Sequence, residues 1–139
     1  MVSYSALSNN YSFSAPKGFR QFMRKHGIFH ANTCAVRLAY ALFLSDKSFF
    51  GDVTVSSGVE WYGLPTRADD LAKVLNNKVG KARLTHSLNT LKDKKGIVFF
   101  DTIVGFEGTG HISLWDGAEV VDGGDYSKNS PRAYFWELV

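Results

Sequence analysis

Apolar positions along this chain change period near residue 96. Before that point they recur at helical spacing. From Lys17 to His26, Phe19, Phe22 and Met23 share one face while Lys17, Arg20 and Arg24 share another, which predicts a short amphipathic helix ending at Gly27. Asn32 and Thr33, both N-cap residue types, stand directly before Cys34-Ala-Val-Arg-Leu-Ala-Tyr-Ala-Leu-Phe-Leu44. That run is apolar on nearly all sides apart from Arg37, so it predicts a buried central helix with Cys34 in its first turn. Residues 46–64, with Gly51, Gly58 and Gly63, predict loop with a short strand. Thr66 then stands where it would cap a further helix, with Asp69 three residues on and Leu71, Val74 and Leu75 facing inward. Leu84, Leu88 and Leu91 continue the helical spacing. Beyond Gly96 the pattern is that of strands: Ile97–Val104, Thr109–Trp115, Ala118 to about Asp122, and Ala133–Leu138. Asp116-Gly117 is a strong signal for a two-residue hairpin turn. Residues 1–15, rich in Ser, Asn and Tyr and closed by Pro16, predict an irregular lead-in. Helices first and adjacent strands afterwards imply an α+β fold, with N-terminal helices packed on an antiparallel sheet of about four or more strands.

The length of 139 residues fits one domain spanning 1–139. Charge alters the picture more through its distribution than its total of +3: residues 1–100 carry 14 Lys and Arg against 6 Asp and Glu, residues 101–139 carry 2 against 7. Nucleic-acid binding needs a concentrated positive face, so no nucleic-acid partner is expected. No segment approaches the roughly 18 consecutive apolar residues of a membrane span, and the first residues lack the pattern of a signal peptide. The expectation is a chain made in the cytoplasm, with any export by a route that reads no N-terminal signal, and with no membrane partner. A single cysteine, Cys34, excludes an intrachain disulfide and a multi-cysteine zinc site. No cofactor or metal is called for. The order Gly105-x-x-Gly108-x-Gly110 runs into a strand and is not a phosphate loop. Trp115, Tyr134, Phe135 and Trp136, at strand positions, suit core packing better than base stacking.

Two residues could carry chemistry. At a helix start, orphan backbone N–H groups and the positive end of the helix dipole favour a thiolate and can hold an oxyanion, which makes Cys34 a candidate nucleophile. A base is then needed. His26 and His86 fall on predicted helices without evident partners, and His30 precedes the helix of Cys34. His111 has the better case: with Trp115 paired to Ala118 across a two-residue turn, His111 faces Asp122. Asp122 could orient the ring and leave its second nitrogen for the thiol. Asp116, in the turn and of opposite parity, ranks below it. A lone cysteine in an apolar helix is most often a small buried hydrophobe; it is the combination with a strand histidine and an opposed carboxylate that points to nucleophile, base and orienter.

Asn32-Thr-Cys-Ala-Val-Arg-Leu-Ala-Tyr-Ala-Leu42, Lys95-Gly-Ile-Val-Phe99, Thr109-Gly-His-Ile-Ser-Leu-Trp-Asp-Gly117 and Tyr134-Phe-Trp-Glu-Leu138 resemble, in order, the fourth family of type VI secretion amidase effectors. The resemblance implies an NlpC-like, papain-like cysteine peptidase architecture. It implies hydrolysis of the γ-D-glutamyl–meso-diaminopimelate amide of peptidoglycan stem peptides in the periplasm of a target cell, delivery by a type VI secretion apparatus, and inhibition by a cognate immunity protein. Matched by motif, Cys34 takes the place of the nucleophile, His111 the base and Asp122 the third member. The extra cysteines that some members carry near the site are absent. A non-catalytic wall- or protein-binding module and a Cys–His acyltransferase are the alternatives on the same fold.

Overall fold

A computed structural model describes residues 2–11, 34–51, 60–61, 64–65, 67–103, 110–122 and 130–139. The amphipathic segment 17–27, Asn32, Thr33, Thr66 and the turn at 105–108 lie outside the described residues. The first element, α1 (Tyr4–Asn10), corrects the irregular lead-in expected over residues 1–15. Ser3 is extended and its hydroxyl accepts from the Ala6 amide at 3.1 Å, so it is the N-cap of this helix. A seven-residue helix is marginal alone. This one is held by its surroundings: Leu7 is fully buried, the Tyr4 amide donates to the Val139 carbonyl at 3.0 Å, and Asn10 Nδ2 donates to Ser45 Oγ at 3.0 Å.

The apolar run from Cys34 forms α2 (Cys34–Ser45), with Leu38, Ala39, Ala41 and Leu42 buried. Two short antiparallel strands follow, β1 (Glu60–Trp61) and β2 (Leu64–Pro65), and then α3 (Ala68–Lys78). Arg67 occupies the cap position of α3 without a side-chain cap; Asp69 and Asp70 in the first turn and Lys78 in the last complement the helix dipole instead. Leu71, Val74 and Leu75 are buried as their spacing implies.

The leucine spacing at 84, 88 and 91 proves misleading. Arg83–Thr85 is a strand, β3, and Leu88–Leu91 is one 3₁₀ turn. Thr85 Oγ1 donates to the Ser87 carbonyl at 2.8 Å and accepts from the Ser87 amide at 3.2 Å, giving the backbone partners that a helix would otherwise supply. Leu84 is about half exposed, at 51%.

The remaining strands are β4 (Gly96–Phe100), β5 (His111–Trp115) and β6 (Ala133–Glu137). They join β3 in an antiparallel sheet ordered β3-β6-β4-β5, as expected of the α+β class. β4 is central and buried throughout, which explains its unbroken apolar sequence. Ile97 and Phe99 join Ile112, Leu114 and the helices in one apolar cluster; Val98 and Phe100 join Trp115, Phe135 and Leu91 in a second. Gly96 meets β6 so closely that a Cβ there would strike the Trp136 carbonyl. The aromatics Trp115, Phe135 and Trp136 are core residues. No helix among the described residues is long and apolar enough to cross a membrane.

Candidate active site

Three elements converge on one imidazole. Cys34 is the first residue of α2, and α2 packs against β5, the edge strand whose first residue is His111. His111 Nε2 lies 2.9 Å from Asp122 Oδ2. The Cys34 thiol is the ring's other side-chain hydrogen-bond neighbour. All of this is enclosed: Cys34 is 7% exposed and His111 8%.

The route by which Asp122 arrives differs from the expected one. A two-residue turn would pair Trp115 with Ala118. Instead Trp115 bridges to Val120, and the Val121 amide donates to the Leu114 carbonyl at 2.9 Å. The turn therefore has four residues, 116–119, and is held by Asp116, whose Oδ1 accepts from the amides of Ala118 and Glu119 at 2.8 and 2.7 Å. The expected strand from Ala118 to Asp122 reduces to the single bridge at Val120. Continued one step, this register sets Asp122 across from Ser113 and diagonal to His111. The pairing slips by two positions, and a slip of two keeps every side chain on its side of the sheet, whereas a slip of one would reverse it. A diagonal pair is still within side-chain reach, so carboxylate and ring meet despite the wrong register.

Burial pulls the His111 pKa down, but the Asp122 carboxylate and, after it, the Cys34 side chain outweigh that and raise it to about 9. The carboxylate on Nε2 selects the tautomer and leaves Nδ1 for the sulfur. Such an arrangement can take a proton from a thiol, hold it as an imidazolium and pass it on.

Of the other histidines, His86 lies between β3 and the 3₁₀ turn rather than on a helix, with Nδ1 3.1 Å from the Pro131 carbonyl. His26 and His30 lie outside the described residues. Two neighbours of the site carry no signal in the sequence. The Tyr11 hydroxyl is 3.2 Å from Ser113 Oγ, both groups buried, and the phenol is raised above its ordinary pKa by burial first and by the Asp122 charge second. Arg37, one turn beyond Cys34, is the cation acting on that phenol. Among the described residues, no group of three or more His, Cys, Asp or Glu side chains is arranged to hold a metal ion.

The family model for type VI secretion system amidase effector protein 4 (Tae4) matches residues 30–136. Solved structures are similar over the full chain. The Tae4–Tai4 effector–immunity complex from Enterobacter cloacae is 23% identical with a TM-score of 0.71, covering 100% of this chain and 99% of that one. The Tae4–Tai4 system from Salmonella typhimurium, as a selenomethionine variant, is 19% identical with a TM-score of 0.73 and the same coverage. No curated protein matches the sequence.

Proposed function

The chain belongs to the type VI secretion system amidase effector 4 family and is an amidase, and from that premise we propose that Cys34, His111 and Asp122 carry its reaction. The observation behind this reading is the shared imidazole, with the Asp122 carboxylate 2.9 Å from Nε2 and the Cys34 thiol as the other neighbour. The bond cut is the γ-D-glutamyl–meso-diaminopimelate amide of a peptidoglycan stem peptide, in the periplasm of the target cell. Cys34 Sγ gives its proton to His111 and attacks the γ-glutamyl carbonyl carbon. The first amides of α2 face the developing oxyanion. As the tetrahedral intermediate collapses, the C–N bond breaks and His111 delivers the proton to the leaving amine. A thioester remains on Cys34. Water, deprotonated by His111, attacks it; the γ-carboxyl of the glutamate is released and the sulfur recovers its proton. Asp122 holds the ring in one tautomer throughout and stabilises its cationic form. An immunity protein of the Tai4 kind is the partner that blocks the reaction, as the complexes of the similar Tae4 proteins suggest.

The test is digestion of intact peptidoglycan by the purified chain, with the released fragments identified by mass spectrometry. New termini at D-glutamate and diaminopimelate, absent with Cys34→Ala, are the expected result. Cleavage at the cross-link would move the bond. No cleavage at all would overturn the catalytic reading.

A further inference from the structure

Tyr11 stands at the end of α1, 102 positions before the serine it touches. Its ring is 7% exposed and Ser113 not at all, so each hydroxyl needs a partner, and they supply one another. Ser113 lies two residues along β5 from His111 and thus on the same side of the strand. On its other flank the returning chain, in the register set by Trp115 and Val120, brings Asp122 opposite Ser113. The Ser113 hydroxyl thereby has the Tyr11 phenol at 3.2 Å, where either can donate, and shares a register position with the carboxylate beside the imidazole. Each hydroxyl has one proton to give, and a chain in which each donates forward strengthens at every link.

We propose that Tyr11 is a positioning residue: acting through Ser113, it holds the Asp122 carboxylate in the orientation that keeps His111 productive. The inference rests on the reading of Cys34, His111 and Asp122 as the reacting group. The titratable and charged groups facing Tyr11 are Asp122, beyond the turn after β5, and Cys34 and Arg37 on α2; those facing His111 are Asp122 and Cys34. Burial and the Asp122 charge both keep the phenol protonated, hence a donor across the working range of pH. The N-terminal helix gains a purpose from this. Bound to the C-terminus through Tyr4 and to the end of α2 through Asn10, α1 is a short arm that carries a hydroxyl to the site.

The experiment compares Tyr11→Phe, Ser113→Ala and the double variant with the parent, all as full chains. His111 is titrated by NMR of its imidazole, and kcat and KM are measured on stem peptide. The parent ring should titrate near 9. Each single variant should lower that midpoint by about half a unit or more and the double variant no further, because the two hydroxyls act as one unit. kcat should fall about fivefold with KM unchanged. A midpoint that stays put in both single variants, with only the melting temperature reduced, would make Tyr11 an ordinary core residue and overturn the proposal. Should Tyr11→Phe fail to fold, Ser113→Ala decides by the same criteria, since it removes one oxygen from a strand. The titration requires no turnover. A parent chain that shows the shifts but no Cys34-dependent hydrolysis would therefore sink the reaction and spare the network.

Discussion

The start of α2 and the stretch that follows β5 each deliver one side chain to His111, yet they are held there by different means. Cys34 is placed by a twelve-residue helix whose buried residues, Leu38, Ala39, Ala41 and Leu42 among them, anchor it in the larger apolar cluster. Asp122 is placed by one β-bridge and a four-residue turn, and the turn depends on the Asp116 carboxylate accepting two amide hydrogens. Among the described residues, the proposed nucleophile therefore sits on a rigid element and the proposed orienting carboxylate on a more lightly pinned one. A reaction tolerates that asymmetry because position matters most for the atom that forms the bond, whereas a carboxylate can hold an imidazole from either a facing or a diagonal position.

Replacing the sulfur tests the rigid side hardest. Cys34→Ala should reduce peptidoglycan hydrolysis to background while the melting temperature moves by only a few degrees, about 3 °C or less, since a small buried side chain is exchanged for a slightly smaller one. Parent-level rates in that variant would end the covalent mechanism. The pinned side comes next: Asp122→Asn should lower kcat about a hundredfold or more, because the amide no longer stabilises the cationic ring. A single glycine inserted between Val121 and Asp122 should do comparable damage, because a one-residue slip turns the carboxylate to the other side. Near-normal turnover of the insertion variant would show that parity is not what matters.

A smaller effect is expected in the dependence of stability on pH. The folded His111 midpoint near 9 lies above the unfolded value of about 6.5. Folding therefore favours the protonated ring, and the stabilisation is complete below about 6.5 and lost as pH rises through about 9. Thermal melts between those limits should show a falling melting temperature in the parent and a flatter line in Asp122→Ala. Equal slopes would detach the carboxylate from the ring. Smallest of all, Asp116→Asn should leave kcat within about twofold, since an amide oxygen can still accept from Ala118 and Glu119. Asp116→Ala should cost about 1 kcal/mol in denaturant unfolding. If Asp116→Asn harmed turnover more than Asp122→Asn, the assignment of the third residue would pass to Asp116.

Much of the fold was legible wherever local rules act alone. The apolar run after Thr33 reads as a buried helix and the β-branched and aromatic run Ile97–Val104 as a strand, and the structure has a helix over Cys34–Ser45 and a strand over Gly96–Phe100. Local spacing failed where side chains compete with the backbone, as at Thr85 and Ser87, which turn a leucine repeat into a strand and a single 3₁₀ turn. It failed at α1 as well, because seven residues become a helix only when Val139 and Ser45 are there to bind them.

What the amino-acid order determined by itself was the identity and parity of the side chains proposed to react: a cysteine at a helix start, a histidine on a strand, and an aspartate an odd number of residues further on. Periodicity is a property of the backbone and needs no neighbours. Only the tertiary structure decided that the turn has four residues, that Asp122 meets the ring diagonally, and that a tyrosine 102 positions away from Ser113 meets its hydroxyl. Those outcomes depend on which distant groups share a buried space, and burial is settled by the whole chain at once.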